Sequence, residues 1–88
     1  MDFIITVGEF EDDLENGAVR RYSLGFLDYD GNMRDGERSG KGIQYFPQSE
    51  TPQYDGSWKK DTYDGQGTLY DQNGNVLYDG KWKYGDYA

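Results

Sequence analysis

The chain contains no cysteine and no histidine. Without cysteine there is no disulfide frame and no thiolate metal site, and the redox compartment cannot be read. Without histidine the commonest general base and metal ligand is gone. Positive charge is scarce as well: nine Lys and Arg against seventeen Asp and Glu leave a formal net charge of −8. Nucleic acid is therefore not an expected partner, because phosphate contacts need Lys and Arg in excess. An anionic membrane surface is disfavoured for the same reason. Phe3 to Val7 is the one apolar run near the start, too short for a signal peptide or a membrane span, so a cytoplasmic protein is expected. Aliphatic side chains are few, with three Ile, five Leu and three Val in 88 residues. Any core is thin, and the chain is one domain spanning residues 1–88.

What the chain has instead is nine Tyr, four Phe, two Trp and thirteen Gly, with two Pro and no long helix-forming run. That composition points to strands and tight turns. A core of rings covering glycine backbone suits a thin sheet better than a globule. The rings are not scattered. Tyr54-Asp55-Gly56-Ser57-Trp58-Lys59 returns as Tyr78-Asp79-Gly80-Lys81-Trp82-Lys83 and, altered, as Tyr29-Asp30-Gly31-Asn32-Met33-Arg34. Downstream, Gly40-Lys41-Gly42 matches Gly65-Gln66-Gly67, and Tyr45 matches Tyr70. A further frame upstream sets Thr6, Gly8, Phe10, Gly17, Val19 and Tyr22 in the same slots, with the opening Tyr and the second glycine of the pair lost. The units are residues 6–28 (degenerate), 29–53, 54–77 and 78–88 (partial).

Within a unit, Tyr54, Gly56 and Trp58 alternate with Asp55, Ser57 and Lys59, which is strand periodicity. Gly65 to Tyr70 reads as the return strand. A four-residue loop at Lys60-Asp61-Thr62-Tyr63 sets Trp58 opposite Gly65, Gly56 opposite Gly67 and Tyr54 opposite Leu69, so that glycines leave room for large rings. Asp71-Gln72-Asn73-Gly74-Asn75, with its Asn-Gly step, and Phe46 to Pro52 connect the units. The expected fold is all-β: an elongated, single-layer antiparallel meander of about two strands per unit, each unit contacting its neighbours.

This pattern resembles the MORN repeat (membrane occupation and recognition nexus), a unit of about 23 residues of the form Tyr-x-Gly-x-Trp/Phe, a turn containing Gly, then Gly-x-Gly. It is carried here by Tyr54, Gly56, Trp58, Gly65 and Gly67, by Tyr29, Gly31, Met33, Gly36, Gly40 and Gly42, and by Tyr78, Gly80, Trp82 and Gly85. Met33 replaces the aromatic, Asp61 the turn glycine, and Thr6 and Val19 depart in the first unit. The resemblance implies a sheet of successive hairpins with a scaffold role in protein contact or dimerisation, and sometimes lipid binding, which transfers poorly to so acidic a chain.

Chemistry of other kinds finds little support. The acidic cluster Glu9, Glu11, Asp12, Asp13 and Glu15 reads as a solvated turn and strand face, because a single-layer meander offers paired carboxylates no cleft. No catalytic residue, cofactor or metal is expected. Asp28 to Asn32 and Asp71 to Asn75 look like oxygen-ligand loops, but the glycine falls too early and the closing Glu is missing. The set Tyr29, Gly31, Met33, Gly40, Gly42, Tyr54, Gly56, Trp58, Gly65, Gly67, Tyr78, Gly80 and Trp82 is structural. Tyr54, Trp58, Tyr78, Trp82, Tyr84 and Tyr87 are the candidate protein contacts. Tyr78 to Tyr87 is expected to be one strand lacking a partner from its own chain, an edge suited to a homodimer or another protein. The alternative function is a carbohydrate- or choline-type binding module using the aromatic face.

Overall fold

A computed structural model describes residues 4–87. Eight strands follow one another: β1 (Ile4–Glu11), β2 (Leu14–Ser23), β3 (Phe26–Arg34), β4 (Glu37–Tyr45), β5 (Pro52–Lys59), β6 (Thr62–Tyr70), β7 (Val76–Lys83) and β8 (Asp86–Tyr87). They form one sheet in sequence order, every neighbouring pair antiparallel. Principal extents of 35 × 24 × 19 Å show that the sheet is strongly twisted, since a flat layer would be far thinner in its last dimension.

Two kinds of turn alternate along the meander. At one end, two-residue turns at Asp12-Asp13, Asp35-Gly36, Lys60-Asp61 and Tyr84-Gly85 all have positive φ at both central positions. This is the turn whose twist matches that of the flanking strands. At the other end lie the tight Leu24-Gly25 turn and the longer loops after Tyr45 and Tyr70. In the last of these, the Asp71 carboxylate accepts the backbone N–H groups of Asn73 and Asn75, at 2.9 and 3.0 Å. Its oxygens serve the loop's own backbone, and those bonds hold the carboxyl below its usual range.

The register departs from the expected one on the way to the two-residue turns. Tyr54 faces Leu69 and Gly56 faces Gly67, but Trp58 faces Tyr63. Thr62 and Tyr63 therefore belong to β6 rather than to a four-residue loop, and Gly65 lies opposite Trp82 of β7 instead of Trp58. The cause is a bulge. Asp64, Gly65 and Gln66 stand against the single residue Ser57, and Gly65 takes φ +92°. Gly40 and Gly17 repeat this at φ +77° and +102°. The two glycines of Gly-x-Gly thus have different duties: the first permits the bulge and the second lies under a ring.

That ring is the opening tyrosine. A Cβ at Gly42 would overlap the Tyr29 ring, and one at Gly67 would overlap the ring of Tyr54. Each tyrosine hydroxyl donates to a carbonyl three residues on: Tyr29 to Asn32 at 2.7 Å, Tyr54 to Ser57 at 2.8 Å and Tyr78 to Lys81 at 3.0 Å. For Tyr29 and Tyr54 that carbonyl sits where the ladder is interrupted. The first hairpin has Thr6 in place of the tyrosine, and Val19 fills the vacancy. Val19 faces Gly8 as Gly42 faces Gly31, and it is buried. The degenerate unit is a true hairpin in which ring and glycine have been exchanged for a smaller residue and a larger one.

Among the described residues the core is Val19, Tyr29, Met33, Tyr54, Trp58 and Trp82. The indole N–H of Trp58 donates to the Gly42 carbonyl and that of Trp82 to the Gly67 carbonyl, both at 3.0 Å, tying each hairpin to the one before. Rings meet mostly edge to face, as in Tyr54 with Trp58 at 5.1 Å and Tyr29 with Trp58 at 5.6 Å between centroids. The turns add a second tie. Gly36, Asp61 and Gly85 each donate a backbone N–H to the preceding hairpin, at Glu15, Arg38 and Tyr63 respectively, over 2.9–3.0 Å.

Tyr78 to Tyr87 differ from the expected single unpaired strand. Tyr84-Gly85 folds the chain back, so that β8 pairs with β7 and Tyr87 stacks on Tyr78 at 4.3 Å.

Two substitutions test this frame. Gly67→Ala places a methyl group against a buried ring that is pinned by its own hydrogen bond, and urea unfolding is expected to show a loss of about 2–3 kcal/mol. Asp13 and Asp61 both occupy left-handed turn positions, yet glycine is expected to act oppositely at the two. Asp13→Gly relieves strain and gains roughly 0.5 kcal/mol, whereas Asp61→Gly loses about 1 kcal/mol with the carboxylate that holds Arg38.

Candidate binding groove on the aromatic face

Nine residues beyond each opening tyrosine stand Arg38, Tyr63 and Tyr87, on the same face as the rings. Tyr63 stacks on Tyr54 at 3.8 Å with the rings 9° apart, and Tyr87 stacks likewise on Tyr78. Arg38 replaces the ring in its own hairpin. Its guanidinium lies 4.3 Å from the Trp58 ring centroid and 5.9 Å from that of Tyr29. A cation over an aromatic face thus stands where the next two hairpins stack ring on ring.

Arg38 is held from both sides. Its Nε donates to Asp61 Oδ1 at 2.7 Å, and the same oxygen accepts the Arg38 backbone N–H at 3.0 Å. Burial works against the Asp61 carboxylate, but the hydrogen bonds and charge of Arg38 outweigh it and hold the carboxyl below its usual range. Across Tyr29 lies Arg21, its guanidinium 5.8 Å from the ring centroid and its Nε 3.0 Å from Asp28 Oδ1. Between the two arginines, Gln44 accepts the Tyr63 hydroxyl at 2.7 Å.

These residues line two adjoining hollows. One, of about 320 Å³, is bounded by Arg21, Asp28, Arg38, Gln44 and the loop at Pro47 and Gln48. The other, of about 280 Å³, is bounded by Arg38, Gln44, Trp58, Asp61 and Tyr63. The groove offers guanidinium and amide hydrogen bonds beside the edge of an indole. Each arginine is already matched by an aspartate, so the groove is polar without strong net charge.

The residues singled out from the sequence fall into two groups. Tyr29, Gly31, Met33, Gly42, Tyr54, Gly56, Trp58, Gly67, Gly80 and Trp82 lie on or under the aromatic face, while Gly40 and Gly65 make bulges. The contact set needs correction. Tyr54, Trp58 and Trp82 are 0%, 4% and 5% exposed, so they are core, and only an edge of Trp58 reaches the groove. The two indole faces are consequently not platforms on which a sugar or choline group stacks. Tyr78 is half-buried beneath Tyr87. Tyr84 and Tyr87 remain, at 71% and 61% exposed. Arg21, Arg38, Gln44 and Tyr63 were outside the expected set. Counting onward from each opening tyrosine would have found Arg38 and Tyr63, but the change of residue type from Arg to Tyr hides the position.

The ring laid over paired glycines, the bulge glycine and the two-residue turn recur hairpin by hairpin, as in an array of one repeated unit. The sequence matches the MORN repeat at residues 29–51 and 54–76. The chain belongs to the MORN repeat family. No curated protein matches this sequence closely enough to serve as a relative. MORN repeats are in general modules that contact proteins or membranes, and the family is typically non-catalytic.

Burial pushes the hydroxyls of Tyr29 and Tyr54 from the ordinary 10.0 up to about 12. Nearby Arg38 and Arg21 oppose the shift at Tyr29, while Tyr63, Asp55 and Asp64 add to it at Tyr54. In the unfolded chain both would ionise first, so the stability they contribute is full below pH 10 and is lost as pH rises toward 12. Alkaline titration is expected to show tyrosinate absorbance rising cooperatively with loss of the near-UV dichroism. Independent ionisation of all nine tyrosines around the ordinary value, with the dichroism intact, would contradict the buried arrangement.

Proposed function

We propose that this MORN array is a non-catalytic scaffold that works by joining protein chains, its own copies among them. The observation that carries the reading is the distribution of apolar surface. Among the described residues, Ile4, Ile5, Val7, Phe10, Leu14, Leu24, Phe26, Val76, Leu77, Tyr84 and Tyr87 are 42–71% exposed, outnumbering the six buried core residues. Exposed apolar side chains that gather, rather than scatter, mark association surfaces. Here eight of the eleven lie at the two margins of the sheet, on β1 and on β7, β8 and the turn between them.

A photo-crosslinking amino acid tests this at positions 5 and 77, with the exposed polar position 66 as control. Covalent adducts with protein are expected at 5 or 77 and not at 66 in cells producing the chain. Their absence from both apolar positions overturns the reading.

A further inference from the structure

Among the described residues, β1 stands at one margin of the sheet and pairs with β2 alone. Such an edge presents unpaired backbone N–H and C=O groups to any strand of suitable shape. Lysines, prolines and bulges ordinarily blunt an edge. Ile4-Ile5-Thr6-Val7-Gly8 has no charge and no proline, and the first irregularity comes after Gly8. Its apolar side chains are open, with Ile4 63%, Ile5 60% and Val7 60% exposed. The opposite margin, β8, has two residues and offers little template.

We propose that Ile4–Gly8 pairs antiparallel with the same segment of a second copy about a two-fold axis at Thr6, joining two eight-stranded sheets into one. The proposal rests on the reading of the chain as an interaction module and names its partner as itself. The uncharged, apolar make-up of the segment, which matches a copy of itself, sets both occupant and register. Two chains of net charge −8 repel wherever carboxylates face each other, and this segment lets them meet without doing so. With Thr6 opposite Thr6, Ile5 faces Val7 and Ile4 faces Gly8, apolar against apolar or against the bare backbone. Sliding the register one residue toward the acidic end would set Ile5 against Glu9 at the bulge. In the two-fold arrangement the Asp12 turns of the two copies point away from each other. They stand roughly 40 Å apart at the strand rise per residue, well beyond the Debye length. The aromatic face of one copy continues into that of the other.

A cysteine-free chain makes the register directly testable. Opposed residues of an antiparallel pair lie within disulfide reach. Thr6→Cys is expected to oxidise to a covalent dimer under conditions in which Gln72→Cys, on an exposed loop, does not. In sedimentation equilibrium the wild-type chain is expected to dimerise reversibly. Ile5→Lys with Val7→Lys is expected to weaken the dimer by roughly 100-fold with an unchanged far-UV spectrum, while Tyr84→Ser with Tyr87→Ser leaves it intact. A wild-type chain that stays monomeric, or equal oxidation of both cysteine variants, overturns the proposal. A dimer that survives the β1 change and is lost with Tyr84 and Tyr87 overturns the edge while leaving the scaffold reading standing. A crosslink from position 5 to an unlike protein and never to a second copy does the same.

Discussion

A tyrosine ring laid flat over two facing glycines, its hydroxyl bound to the carbonyl at a break in the ladder, is the contact on which this sheet depends. A single layer has no second sheet to bury its side chains, so each hairpin must cover its own backbone. Tyr54 does this for Gly56 and Gly67, and Tyr29 for Gly31 and Gly42. The bulge then creates a polar problem, an interrupted ladder beneath an apolar ring, and the hydroxyl solves it at 2.7–2.8 Å. The ring, the two glycines and the bulge glycine consequently form one unit, and a change at any one of them is felt by the others.

Successive units are tied by groups that reach backward. An indole N–H finds the glycine carbonyl of the previous hairpin, and a turn N–H finds a carbonyl there too. These ties, more than apolar volume, make neighbouring hairpins cooperative in a core of six buried residues. The same frame accepts exchanges of chemistry. Arg38 against Trp58 stands where Tyr63 stands against Trp82, and Val19 with Thr6 replaces glycine with tyrosine. In each case the volume above the backbone is conserved while the residue type is not.

The consequence for function is a surface richer in large apolar side chains than the core beneath it. The aromatic face supplies a polar groove around Arg38, and the margins supply strand edge and exposed aliphatics. On the proposed reading, shape and edge complementarity are what it offers a partner.

The sequence by itself determined the fold class, the repeat and its phase. Alternation of Tyr, Gly and Trp is local, and two residues per pleat suffice to write it into the chain. The meander of hairpins, the facing pair Gly56 and Gly67 and the partnership of Tyr54 with Leu69 were legible for that reason. Only the tertiary structure decided the rest. The bulge at Gly65 moved Trp58 from Gly65 to Tyr63, and no composition marks a glycine as a bulge rather than a spacer. Burial of Tyr54, Trp58 and Trp82 followed from curvature and from neighbouring hairpins, which turned an apparent contact surface into core. The groove around Arg38 arose because residues from β2 through β6, remote in sequence, met around one guanidinium. Periodicity is a property of the chain, whereas which face is closed and which edge stays open is a property of the twisted sheet.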